Sequence, residues 1–262
     1  MKPISAIIST LGVPAEPKIS TAHCETHGAF EARCYLGNAW SKCPTCSVEA
    51  DARAIALREQ QSSAMRLRAR EIQLGQSGIP ARFQDRTLQS FVATTDAQRK
   101  ALTFAQEYAA DFGEVLRVGR SALFVGKPGT GKTHLAAGIG MHIMREQNRT
   151  VLFTTVMRAI RRVKDSWSKD NGESESQAIA TLVSPDLLIL DEVGVQFGSA
   201  FEKNILFDVL NERYEKRLPA IMLSNLPMVE VTAYLGARVI DRMREDGGAQ
   251  IVFDWESHRG TK

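Results

Sequence analysis

An α/β fold, a parallel sheet between two layers of helices, is what this sequence predicts, on three observations. Five short apolar runs at 121–125, 150–155, 187–191, 220–224 and 250–254 are bounded by polar or turn-forming residues and read as buried strands. Amphipathic stretches at about 132–147, 156–168, 175–183 and 201–216 separate them and read as helices. Such alternation folds as a parallel sheet covered on both faces. The third observation is a glycine-rich turn, GKPGTGKT, set between the first of these strands and the helix that follows.

That turn satisfies G-x-x-x-x-G-K-[ST] at Gly126, Gly131, Lys132 and Thr133. Glycines let backbone N–H groups face phosphate oxygens, the lysine neutralises the β and γ phosphates, and the threonine hydroxyl reaches Mg²⁺. The expected nucleotide-binding stretch is Gly126, Pro128, Gly129, Thr130, Gly131, Lys132, Thr133 and His134. The strand LLILD then presents Asp191 at its C-terminal end, where open parallel sheets hold their ligands, followed directly by Glu192. Asp191 is expected to hold Mg²⁺ with Thr133, and Glu192 to orient or deprotonate the attacking water. Ser224 and Asn225 end the fourth strand and are expected beside the γ-phosphate. An acid placed to activate water favours ATP hydrolysis over phosphoryl transfer to a metabolite.

The 262 residues are 44% hydrophobic and 24% charged, ordinary globular composition. A net charge of +3 is too mild to demand a nucleic-acid partner, although a local basic face is compatible with it. No apolar run reaches the ~18 residues of a membrane span, and the first residues lack a signal-peptide pattern. A soluble, cytoplasmic protein with no membrane partner is expected.

Four divisions follow. Residues 1–20 hold Pro3, Gly12, Pro14 and Pro17 without periodicity and read as a flexible N-terminus. Residues 21–49 contain all four cysteines. A helical linker over 50–77 is rich in Ala, Arg, Glu, Gln and Leu and stops at Gly75 and Gly78-Ile79-Pro80. The α/β domain occupies 78–262.

In the second division Cys24-x2-His27 and Cys43-x2-Cys46 stand fifteen residues apart, the spacing of a four-ligand zinc site. Cys34 and His23 are spare candidates, so Cys24, Cys34, Cys43 and Cys46 is an alternative set. Such a site has no open position for water, which makes it an interaction module and not a catalyst. The segment 156–167, VMRAIRRVKDSW, places Val156, Ile160, Val163 and Trp167 on one helical face and Arg158, Arg161, Arg162 and Asp165 on others, with Lys164 near the boundary. The basic side suits a phosphate backbone. The stripe assigns Trp167 to the core, with base stacking as the alternative.

GKPGTGKTHLA, LLILDEVGVQ, LSN, YLGARVIDRMR and the closing FDWESHR together resemble the DnaC-type helicase loaders of bacteria and phages, within the AAA+ ATPases. The resemblance covers 78–262 and includes SGIPARF ahead of the core; IstB-type transposition ATPases share many of these motifs. It implies a five-stranded AAA+ core that assembles as a ring or helix on a replicative helicase and hydrolyses ATP weakly as a monomer. By position, Arg242 in VIDRM matches the arginine finger given to a neighbouring subunit, with Arg238 as its rival. Arg259 in ESHR matches the cis-acting sensor 2 arginine, and Asn225 takes the sensor 1 place. Trp40 ahead of CPTC resembles the cysteine-rich start of some phage and prophage members. The function implied is loading of a DnaB-type helicase, held through residues 1–75, onto single-stranded DNA gripped near 156–167. An IstB-like transposition ATPase acting on duplex DNA, or a zinc-dependent DNA-binding adaptor with a nucleotide switch, are the alternatives.

Overall fold

The computed structural model describes residues 16–36, 39–168, 172–195 and 200–258. Arg259 and most of the expected flexible N-terminus lie outside the described residues. Two compact units divide the chain, Met1–Arg68 and Ala69–Lys262.

In the first unit, β1 (Lys18–Cys24), β2 (Gly28–Leu36) and β3 (Ala39–Trp40) form an antiparallel sheet in that order. Residues 18–20, expected in the flexible start, are instead paired with Cys34, Arg33 and Ala32 of β2. Backbone bonds hold this strand, since nearly all its side chains face solvent and leave no apolar alternation to read. Helix α1 (Pro44–Gln76) begins six residues earlier than the linker helix expected from residue 50, with proline at its first position, where a missing N–H costs nothing.

In the second unit the last turns of α1 are followed by α2 (Ala81–Gln84), α3 (Asp96–Ala110) and α4 (Phe112–Val118). The alternation follows: β4 (Ala122–Gly126), α5 (Lys132–Gln147), β5 (Val151–Thr155), α6 (Val156–Asp165), α7 (Glu175–Val183), β6 (Leu187–Asp191), α8 (Ala200–Glu215), β7 (Ala220–Ser224), α9 (Met228–Leu235), α10 (Ala237–Arg244) and β8 (Ala249–Phe253). The strands lie in the order β5-β6-β7-β4-β8, each pair parallel. This is the expected five-stranded sheet, every strand within one residue of its sequence boundaries.

Both faces of the sheet are buried, which is why its strands read as continuous apolar runs. Phe124, Ile189, Ile221 and Leu223 point into one core beneath α3 and α5. Their strand neighbours Leu123, Val125, Leu188, Leu190 and Met222 point into the other, beneath α6 to α10. Arg213 of α8 is buried in the second layer, and its guanidinium donates to the carbonyls of Leu182, Val183, Pro185, Asp186 and Pro219. Burial pulls its pKa down to about 9. These bonds tie the end of α7 and the entry to β7 to one side chain.

Candidate active site

The chain leaves β4 and returns to the sheet at its far edge, while β7 and β8 flank β4, so the connections diverge at the C-terminal end of β4. Open sheets bind ligands at such a point. Gly126 ends the strand at φ 137°, and a Cβ there would stand 2.1 Å from the Phe253 carbonyl oxygen. The Lys127 N–H donates to that same oxygen at 3.0 Å. Gly131 caps α5 at φ 98°, where a Cβ would meet Phe91 at 2.6 Å. Only glycine fits either place.

Thr130 is fully buried; its hydroxyl donates to the Lys127 carbonyl at 2.8 Å, and its own carbonyl accepts from the Trp255 indole at 2.9 Å. Its side chain therefore braces the loop from inside, while Pro128, Gly129, Gly131, Lys132, Thr133 and His134 line the cleft. The cleft measures about 470 Å³ and is also bordered by Asp191, Glu192 and Asn225. Lys132 Nζ donates to the Gly126 and Lys127 carbonyls at 2.7 and 2.8 Å. His134 keeps Nε2 within 3.0 Å of the Thr87 carbonyl oxygen and 3.2 Å of Ser90 Oγ, its ring edge-on to Phe91, and burial lowers its pKa.

Across the cleft, Thr133 Oγ1 donates to Asp191 Oδ2 at 3.1 Å, and the Glu192 N–H donates to Asp191 Oδ1 at 2.7 Å. Burial raises the Asp191 carboxyl above the usual carboxylate range, opposed by those two donors and by Lys132. Glu192 sits at φ 61°, a left-handed conformation costly for a non-glycine residue, and its carboxylate is exposed at the rim. Ser224 departs from expectation: it is buried, and its hydroxyl donates to the Val193 carbonyl at 2.7 Å, fastening the turn after Glu192 and leaving the cleft to Asn225. Arg82, Phe83, Arg86 and His258 line the cleft as well. No spacing rule marks them, because they come from chain segments outside the strand-turn-helix unit.

Arg238 and Arg242, on α10, do not line this cleft. Arg242 hydrogen-bonds Asn211 and lies 4.7 Å from the Tyr214 ring centre, while Arg238 stands 5.8 Å over Phe207. On α6, Val156, Ala159, Ile160 and Val163 are buried and Arg158, Arg161, Arg162 and Lys164 exposed, as the periodicity requires. Arg162 pairs with Glu173 at 2.6 Å and Lys164 with Glu202 at 2.9 Å. Trp167 is not in the core: α6 ends at Asp165, and the indole is 47% exposed, donating to Glu175 at 2.9 Å with its ring against Phe201.

In the first unit, Cys24, His27, Cys43 and Cys46 bring their ligand atoms within 4.8 Å of one another. Cys24 Sγ is 3.5 Å from Cys46 Sγ, and His27 Nδ1 is 3.2 Å from Cys46 Sγ and 3.8 Å from Cys43 Sγ. A tetrahedron with zinc–sulfur bonds of ~2.3 Å and a zinc–nitrogen bond of ~2.0 Å has edges of about 3.5–3.8 Å, close to the separations of these donor atoms, 3.2 to 3.8 Å. Backbone donors from His27 and Thr26 lower the Cys24 thiol to about 6, and Cys46, hydrogen-bonded to Cys24, rises to about 11. His27 Nε2 is 3.1 Å from Glu49 Oε1, which leaves Nδ1 for the cluster. Cys34, buried on β2, and His23, on β1, stand outside this group.

A family model described as IstB-like ATP binding protein matches residues 54–244. The chain is 35% identical over 201 residues to the replicative helicase loader DnaC of Escherichia coli (strain K12), covering 77% of this chain and 79% of that protein. It is 36% identical over 186 residues to the replicative helicase loader DnaC of Buchnera aphidicola subsp. Acyrthosiphon pisum (strain APS), covering 71% and 74%. Its fold is similar to the crystal structure of the DnaC helicase loader, with a TM-score of 0.60 at 21% identity over 67% of this chain and 100% of that one. The architecture is that of an AAA+ nucleoside triphosphatase. Among the described residues, no helix is long and apolar enough to cross a membrane.

Proposed function

The chain belongs to the IstB-like family of ATP-binding proteins, and on that premise we propose that it is an ATP-hydrolysing loader that places a DnaB-type replicative helicase on single-stranded DNA. The observation that carries the enzymatic part is the Thr133–Asp191 contact inside a cleft shared with Lys132, Glu192 and Asn225. The relatives' names, matched over more than two thirds of their length, support the helicase as partner.

The residues present fit Mg²⁺–ATP: glycines where a Cβ would clash, an ammonium nearly enclosed by the loop, and an acid and a hydroxyl in contact across the cleft. Bound Mg²⁺–ATP supplies the cleavable phosphoanhydride bond and the metal's charge. Lys132 exchanges its two carbonyl partners for phosphate oxygens, and the first N–H groups of α5 add donors of the same sign. Thr133 and Asp191 hold the cation. Glu192, on its strained turn at the rim, takes a proton from the attacking water, and Asn225 orients it. Arg259, outside the described residues, takes the cis phosphate contact that the family resemblance implies.

Arg242, with Arg238 as rival, completes the site of the next protomer in a ring or helical self-assembly; its place on α10, away from its own cleft, suits donation in trans. Cys24, His27, Cys43 and Cys46 hold zinc and staple the module 21–49, which with the helical linker 50–77 engages the helicase. The exposed arginines of α6 meet the single strand, in a cytoplasmic protein.

Mass measurement on a mixture with a DnaB-type hexamer and single-stranded DNA, with and without ATP, tests this. A complex that forms with the hexamer and leaves it on the DNA when ATP is present is the expected result. Deformation of duplex DNA with no helicase binding would replace it with the transposition reading.

A further inference from the structure

Gln98, in the first turn of α3, is 3% exposed, and its side-chain oxygen accepts from the Thr94 N–H at 2.7 Å, the Thr94 hydroxyl at 2.8 Å and the Thr95 N–H at 2.9 Å. Three converging donors fix the amide's orientation, because a flipped NH₂ group would face all of them. Its nitrogen is therefore a donor, and it stands 3.3 Å from His258 Nε2. A neutral imidazole carries one donor and one acceptor nitrogen. His258 Nε2 must then be the acceptor and Nδ1 must carry the proton.

His258 is at the same time bolted to the phosphate loop: its backbone N–H donates to the Gly129 carbonyl at 3.1 Å, and it borders the cleft. We propose that His258 is a nucleotide-contacting residue, held by Gln98 in the Nδ1–H tautomer so that its free ring position offers a donor to an anionic phosphate group. The proposal rests on the nucleotide reading of the cleft and adds a residue to it. A lone pair at that position would repel phosphate oxygen. Gln98 thus acts as a positioning residue through the ring it orients.

Two measurements test this. In the nucleotide-free full chain, ¹⁵N spectra of the five histidines, with His258 assigned from His258→Asn, read the tautomer directly. A neutral Nδ1–H ring is expected, reverting toward Nε2–H in Gln98→Leu; an Nε2–H ring in the wild type overturns the proposal. Fluorescence titration with an ATP analogue and Mg²⁺ is the second. The asparagine amide reaches the Nδ1 position and the glutamine amide the Nε2 position. His258→Gln should lose about 10- to 100-fold in affinity, one charge-assisted hydrogen bond. His258→Asn should bind at least about fivefold tighter than His258→Gln. A merely structural bridge to Gln98 would reverse that order, and equal affinities would also overturn the proposal. Wild type that fails to bind overturns the nucleotide reading and this inference together; wild type that binds while His258→Gln is unchanged overturns only the inference.

Discussion

Lys132→Met separates what the lysine does for the loop from what it does for the nucleotide. In the structure the ammonium holds two carbonyls of its own loop, Gly126 and Lys127, and the residue is only 6% exposed. Bonds to a charged donor contribute ~1.5–3 kcal/mol each, and the lower figure applies because cleft water can reach the freed carbonyls. Two such bonds amount to about 3 kcal/mol, from which the methionine stem recovers a fraction by packing where the lysine stem did. At about 2–4 °C per kcal/mol for a domain of this size, the unliganded variant should melt ~5–10 °C below wild type. ATP at a hundredfold its Kd stabilises a protein by ~2.7 kcal/mol, so wild type should gain a shift of similar size. The variant should gain none. Thermal denaturation followed by circular dichroism, with and without Mg²⁺–ATP, reads both effects. A variant that keeps the wild-type ATP shift would refute the placement of phosphates at Lys132.

Asp191→Asn should raise the melting temperature of the nucleotide-free protein at pH 7 while removing stabilisation by Mg²⁺–ATP. Burial raises the Asp191 carboxyl, so its charge costs stability that is absent below the unfolded pKa of ~3.9, grows as pH rises through the folded value, and is complete above it. The difference between variant and wild type should therefore close toward pH 4, and a variant less stable than wild type at pH 7 would show the charge is not costly. Element analysis should find about one zinc per chain. Chelation should then speed amide exchange in β1 and β2 while β6 stays protected, and no bound zinc would remove the stapling argument.

The nucleotide-binding half of the molecule was legible because two independent constraints coincide there. Strands β6 and β7 are buried on both faces, and their apolar runs start and stop where hydrogen bonding does, at Leu187–Asp191 and Ala220–Ser224. Lys132 and Asp191 then follow from motif and strand end, and they do share a cleft. The N-terminal sheet was not legible: β1 faces solvent along most of its length, so KISTAHC carries no pattern that distinguishes it from loop. Trp167 fits the helical stripe numerically, but α6 ends at Asp165, and the stripe has no meaning past the cap. Ser224 stands at the strand end that faces the expected γ-phosphate, whereas the parity of the strand turns its hydroxyl inward to Val193. No motif or spacing in the sequence marks Arg213 or Gln98. Only tertiary packing shows five carbonyls around the one and three donors on the other.

ATP turnover by a one-to-one mixture of Glu192→Gln and Arg242→Ala, in the presence of helicase and single-stranded DNA, tests most directly whether one triphosphate is cleaved by residues of two protomers. Alone, Glu192→Gln should be inactive with ATP still bound, and Arg242→Ala should fall to the weak turnover of the monomer. In a head-to-tail assembly, about a quarter of all interfaces pair an intact Glu192 with an intact Arg242 from the neighbour, so turnover should return to about that fraction of the wild-type rate. A mixture that co-assembles and stays inactive, or Glu192→Gln that hydrolyses ATP as wild type does, would contradict the account.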